Sequence, residues 1–385
     1  MNTVFKNIPK NSRPPFVGFY EFNNISPVSQ DITDLKLHFQ RRESLLRSLG
    51  LIPEFIKGRD VLEFGPGSGH NTLYLSSLFP AKYDLVDGNL LGVTQTRKLL
   101  NVLENPQIIV HHALFDEFKS EFKYDLVWAE GYLPHQTHPL PLFEHLSTFV
   151  RFGRGIFVSF SNGISYLSET FRRLCRDRFF DNNGDVHSHA AKLIPYLNPH
   201  LQNLRGMSRP VDDWILDSIV QPLHDRRMFS SPDVINCLKN RFDVYAASPR
   251  FLTDWRWYKD IVGENRHFND IALDNYYQSN LNLLDYRFNF QLHDIDFGKK
   301  IEDLCSVSWD LMCKIEGGDE SAWNDFFALM NELCVYIKDL APETELAVRE
   351  AMSLLQSRNP DMELNHFPKW WGRGQQYLGL IRNNK

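Results

Sequence analysis

The chain has no C-x-x-C pair: its five cysteines, Cys175, Cys237, Cys305, Cys313 and Cys334, are odd in number and far apart. That argues against a disulfide framework and a cysteine zinc site, and for reduced thiols. No run of about 18 apolar residues occurs, and Met1 to Asn7 lack an apolar core of secretory length, so neither a membrane span nor an export signal is expected and the expected location is the cytoplasm. Basic charge is not in excess either. Lys and Arg number 42 against 48 Asp and Glu, and the net charge of -6 supplies no field for nucleic acid. No repeat or low-complexity tract is visible. His187-Ser188-His189 beside Asp185 lack the H-x-x-x-H spacing of a metal pair, so they read as a helix start and no metal is expected.

At 385 residues the chain exceeds one core domain, since domains commonly hold about 100 to 200 residues. Aromatics make up 13%, with eight tryptophans, enough to line a pocket. Short apolar runs alternate with helical patterns from residue 60: strands at 60–64, 83–87, 107–112, 124–129 and 154–160, helices at 69–79, 91–103 and 139–150. Apolar strands separated by helices of this length mean a parallel sheet. Before them, the Pro-, Asn- and Ser-rich stretch 8–30 reads as an irregular arm with an aromatic segment at Phe16 to Phe22, followed by a helix from Asp31 to Leu49. After Asn162 the alternation stops. Residues 164–230 read as helix interrupted by Pro195, Pro199, Pro210 and Pro222; a sixth strand follows at 242–246, after a helix capped by Ser231 with Pro232 at its first position. Helical patterns then run from about 265 to 357, and 375–382 have strand character.

The most informative run is Val61-Leu62-Glu63-Phe64-Gly65-Pro66-Gly67-Ser68-Gly69, with Asp87 at the tip of the next strand. An apolar strand that stops at glycines can deliver its carboxyl end close to a bulky ligand, because glycine has no side chain to clash. An acid at the tip of the neighbouring strand suits the two hydroxyls of a ribose. A phosphate-binding loop needs a lysine and Ser/Thr directly after its last glycine, but here His70 and Asn71 follow. A dinucleotide turn spaces its glycines G-x-G-x-x-G, whereas these are G-x-G-x-G with Glu63 just before them. That acid would repel a pyrophosphate and attract a sulfonium cofactor carrying an α-amino group.

Over residues 55–160 the chain therefore resembles the class I S-adenosylmethionine-dependent methyltransferases, most specifically at Glu63 to Gly69 and at Asp87. The resemblance implies an α/β fold: a doubly wound, seven-stranded, mostly parallel sheet that closes with an antiparallel pair, here with helical insertions. The implied division is an N-terminal arm and helix at 1–50, a cofactor-binding core at 51–163, a helical insertion at 164–230, a core continuation at 231–254, a second insertion at 255–368 and a final strand at 369–385; a separate helical domain over 255–385 is the alternative. S-adenosyl-L-methionine would be held by Glu63 at its amino group, by the backbone of Gly65, Gly67, Ser68 and Gly69 beneath it, and by Asp87 at the ribose. Adenine would lie by Gly88 and Asn89. The family often has an acid after strand three; this chain has His111-His112-Ala113, so His112 or the backbone around Ala113 would serve, and Asp116 reads as a surface residue.

The run after strand four, Glu130 to His138, is where the resemblance places the reacting centre. His135 is the first candidate general base, with His138 and Glu130 next. No Asn-Pro-Pro-Tyr/Phe motif follows this strand, which counts against methylation of a nucleic-acid base nitrogen. The expected substrate is a small molecule or glycan precursor methylated at oxygen. The alternatives are a methyltransferase of protein or RNA and a non-enzymatic partner subunit of the same fold. Two further clusters are open: Arg172, Arg173, Arg176 and Arg178 read as a solvated face or as a phosphate or carboxylate clamp, and 249–259, with Trp255, Trp257 and Tyr258, either packs on the core or stacks on substrate.

Overall fold

The computed structural model describes residues 15–25, 29–101, 107–181, 184–222 and 228–383. Among them the chain divides into a sheet unit (15–160, 228–276, 375–383) and a helical unit (161–222, 277–374).

The sheet unit is built on seven strands: β1 (Asp60–Phe64), β2 (Lys82–Asp87), β3 (Ile108–His112), β4 (Tyr124–Ala129), β5 (Val150–Phe160), β6 (Phe242–Ser248) and β7 (Gln376–Arg382). Their order is β3-β2-β1-β4-β5-β7-β6. All neighbours are parallel except β7, which runs antiparallel to both β5 and β6. This is the mostly parallel sheet expected from the alternation, in the doubly wound, seven-stranded form with an antiparallel closing strand that the resemblance implies.

Strand alternation puts Leu62, Phe64, Val86, Val127 and Ala129 on one face, with Phe143, Leu146, Val234 and Ile235 from the helices Pro139–Ser147 and Ser231–Leu238. Val61, Tyr83, Leu85, Leu126 and Trp128 fill the other, with Leu46, Leu73 and Leu100. Both faces are dry, which is why the central strands read as unbroken apolar runs. Because β1 lies between β2 and β4, connections from β1 and from β4 leave in opposite directions. The crevice at their carboxyl ends is the switch point where open α/β sheets bind ligands.

Several expectations need correction. Part of the arm is helical: Pro15–Phe22 is a helix with Val17, Phe19 and Tyr20 buried, so the aromatic segment packs as its composition suggests, while 8–14 and 26–28 lie outside the described residues. The helix after the glycines is short, Thr72–Ser76. The helix Ser231–Leu238 is capped by Ser230, whose hydroxyl and backbone pair with Asp233.

In the helical unit, Leu167–Phe179, Ile295–Glu316, Ala322–Ile337 and Pro342–Ser357 pack in sequence on one another. Pro195 and Pro199 do not interrupt their segment: Val186–Leu201 is one helix through both. Both prolines are exposed, so the carbonyls that lose an N–H partner face water. His187 and Ser188 do start this helix, their N–H groups donating to Asp185.

The arginine run is not a solvated face. Arg173 and Arg176 are buried and both pair with Glu316, at 2.7 and 2.8 Å, while Arg173 also donates to the carbonyls of Ser218 and Gln221. Arg172 is wholly buried; it donates to the carbonyls of Ser168 and Trp370 and lies 3.6 Å from the Trp371 ring centroid. Burial lowers its pKa to about 10. These cations bind carbonyls and the carboxylates of Glu316 and Asp177 inside the unit, so they join segments rather than offer a clamp. None of the described helices is long and apolar enough to cross a membrane.

Candidate functional site

The glycine turn leaves β1 with Gly65, Gly67 and Gly69 all in the left-handed region, at φ of 72°, 57° and 82°. Side chains rarely adopt that conformation, so the run must be glycine for the chain to turn this tightly. The turn is tied at several points. Gly65 N donates to Val86 O at 2.9 Å, Thr96 Oγ1 to Gly67 O at 2.9 Å, and Gly67 N to Asp87 Oδ2 at 3.0 Å.

Asp87 thus belongs to the turn as well as to β2. Its other oxygen accepts from Asn89 N at 2.8 Å. Burial pushes its pKa up to about 6 against the pull of those two N–H donors. Each oxygen takes one backbone donor and keeps a lone pair, which is the capacity two vicinal hydroxyls require. Asn89 is buried and accepts from Gly92 N at the start of the helix Leu90–Asn101.

Glu63 is buried at the end of β1, beside Leu85 and Trp128 on the neighbouring strands. Its oxygens accept from Thr72 Oγ1 at 3.0 Å and from the Tyr83 hydroxyl. Burial is the largest influence on its pKa, and with repulsion from Glu130 it overcomes those hydrogen bonds and Arg42 to leave the value at about 7. A buried carboxyl poised there ionises readily when a cation arrives beside it.

The residues expected beside adenine lie at the tips of β2 and β3. Ala113 N donates to Asp87 O at 3.1 Å, the His112 ring sits 3.3 Å from Gly88 O, and a Cβ on Gly88 would meet Leu114 at 3.0 Å. Gly88, His112 and Ala113 therefore stand together, with His112 and Asp116 exposed. Ser68 is buried within the turn.

The loop after β4 separates the three base candidates. Glu130 accepts a bidentate pair from Arg42 at 2.8 and 2.7 Å, and also Trp128 Nε1 at 2.9 Å, the Tyr377 hydroxyl at 2.7 Å and Asn71 at 3.3 Å. Burial works to raise its pKa, but Arg42 and these donors hold it below the usual carboxylate value. An anion this fully bonded anchors the helix Leu35–Ser48 to the sheet and is a poor proton acceptor. His138 precedes the helix Pro139–Ser147 and is exposed. His135 ends the 3-10 turn Leu133–His135, and its side chain lies outside the described residues.

Four participants were not legible in the sequence. Arg42 sits on a helix whose pattern shows only amphipathicity. Tyr83 and Thr72 became partners of Glu63 only through strand register and the turn. Tyr132 lies inside the loop already singled out and packs on the turn: a Cβ on Gly65 would stand 2.6 Å from its ring. The segment after β6 divides: Phe251 and Leu252 pack on the core, whereas Trp255, 93% exposed, and Trp257, 60% exposed, do not.

No protein-family profile matches the chain, and no curated protein matches it. Among solved structures it is similar to the N-methyltransferase NodS from Bradyrhizobium japonicum WM9 in complex with S-adenosyl-L-homocysteine, at 14% identity over 38% of this chain and 74% of that one, with a TM-score of 0.32. It is similar to magnesium protoporphyrin IX methyltransferase ChlM from Synechocystis PCC 6803, also with S-adenosyl-L-homocysteine, at 16% identity over 55% and 75%, TM-score 0.34. A third is the complex of the Haloferax volcanii Trm112 methyltransferase activator with its methyltransferase, at 14% identity over 69% and 94%, TM-score 0.36. Likenesses at these scores do not bear on function.

Proposed function

We propose that this chain is an S-adenosylmethionine-dependent methyltransferase, acting at oxygen on a small-molecule or glycan-precursor acceptor. The observation that carries the reading is the pair Glu63 and Asp87: two buried carboxyls on either side of a left-handed glycine turn at the switch point of the sheet. The turn fits the cofactor. Its glycines bring bare backbone to the crevice, Asp87 has lone pairs for the ribose, and Glu63 has the charge for an ammonium. S-adenosylmethionine supplies an electrophilic methyl group on a cationic sulfur and leaves as a neutral thioether.

The chain's own share is to bind, orient and accept one proton. An acceptor hydroxyl must lose its proton as its oxygen bonds to carbon, and a histidine near neutral pKa suits that task. The 131–138 loop offers His135 and His138, while Glu130 serves as anchor. His135→Ala is expected to lower kcat at least tenfold with S-adenosylhomocysteine affinity preserved, and His138→Ala to do less. Unchanged turnover in both variants would remove this loop from proton transfer.

The raised carboxyl pKa values set a pH signature. Both acids are protonated more readily in the fold than in the unfolded chain. Their contribution to stability is therefore full below about pH 4 and is lost as pH rises through about 6 and 7. Binding of an ammonium and ribose hydroxyls favours the ionised forms, so affinity for S-adenosylhomocysteine should be about tenfold weaker at pH 6 than at pH 8. Proton release on binding near pH 6.5, measured by calorimetry in two buffers of different ionisation heat, should accompany it. A flat profile would separate these carboxyls from the ligand.

A further inference from the structure

Tyr132 closes over the glycine turn from the end of β4. The space a side chain on Gly65 would need is filled by its ring, and Phe115 backs that ring with centroids 4.4 Å apart. Tyr132 is only 7% exposed, and its hydroxyl has no hydrogen-bond partner among the described residues. Burial, and after it the charges of Glu63 and Asp87, push the phenol pKa well above its ordinary value. The hydroxyl thus lies in the field of both acids that flank the turn. Neither acid uses it: Glu63 accepts from Thr72 and Tyr83, and Asp87 from Gly67 and Asn89.

Tyrosine differs from phenylalanine by this hydroxyl alone, and burying it unpaired is a cost that phenylalanine avoids. Packing over Gly65 needs only the ring. Resting on the cofactor site proposed above, we infer that the Tyr132 hydroxyl is a ligand contact that holds the amino-acid arm of the cofactor over Gly65. That arm carries an ammonium, which Glu63 can pair, and a carboxylate, which needs a donor. Glu63 and Asp87 are acceptors, whereas the phenol donates without adding a charge, forming a charge-assisted bond. The residue would discriminate in favour of ligands that carry the arm.

The test is calorimetry of the wild type and Tyr132→Phe with S-adenosylhomocysteine and with methylthioadenosine, which has the same nucleoside and sulfur but no amino-acid arm. Tyr132→Phe is expected to lose about tenfold in affinity for S-adenosylhomocysteine and none for methylthioadenosine. Its melting temperature without ligand should equal or exceed that of the wild type, the opposite of what a structural hydroxyl predicts. Unchanged affinity for S-adenosylhomocysteine overturns the inference, and so does an equal loss for both ligands. A wild type that binds neither ligand sinks the cofactor reading itself, and that result is read before any substitution is made.

Discussion

Replacing Asp87 by alanine is expected to weaken S-adenosylhomocysteine binding by at least about a hundredfold. Two ribose hydroxyls donating to one carboxylate are hydrogen bonds to a charged group, each contributing about 1.5 to 3 kcal/mol, and 1.4 kcal/mol is a factor of ten. The same carboxylate holds Gly67 N and Asn89 N, so its loss also loosens the turn that shapes the site. Against this, a carboxyl that burial has pushed up to about 6 is expensive to keep ionised, and removing it relieves that cost. Affinity should therefore fall far more than stability. Asp87→Asn, which retains an oxygen acceptor for one backbone N–H, should fold with a melting temperature near that of wild type and still bind poorly. Full affinity in Asp87→Ala would mean that the ribose site is elsewhere.

The second large effect concerns the anchor. Arg42 and Glu130 are a buried pair, 8% and 12% exposed, in bidentate contact. Removing one member of such a pair strands the other charge and costs about 3 to 5 kcal/mol. Arg42→Ala should lower the melting temperature of the protein by about 10 °C, at about 2 to 4 °C per kcal/mol for a unit of this size. The double variant Arg42→Met, Glu130→Gln should recover much of the loss, because no charge is left stranded. The pair also sets an acid limit. The Glu130 pKa is depressed in the fold, so its contribution is full above the unfolded value of about 4.5 and is lost as pH falls through the folded value. Arg42→Ala should flatten that part of the acid stability curve. A shift of less than 2 °C would show that Trp128, Tyr377 and Asn71 suffice for Glu130.

What could be read from the sequence follows from where local rules govern. The central strands were legible because β1, β2 and β4 are buried on both faces, so the apolar run ends where the chain leaves the sheet; β1 and β4 fall on the expected residues. Asp87 was legible because a lone acid at the end of such a run is conspicuous. Glu130 looked equally conspicuous, but its role depends on Arg42, 88 positions away, and Tyr377, 247 away. No local spacing carries that information. The arginine run misled for the same reason: its counter-charge, Glu316, lies 143 residues from Arg173. Tyr132 was hidden differently. Its ring is an ordinary buried aromatic, and only the geometry shows a hydroxyl with no hydrogen-bond partner among the described residues.

The most direct test is calorimetric titration of the wild-type protein at pH 8 with S-adenosylmethionine and, separately, with NAD. Glu63 before the glycines and Asp87 beyond them predict saturable binding of S-adenosylmethionine and none of NAD. Binding of NAD with no heat from S-adenosylmethionine would contradict the assignment of the turn.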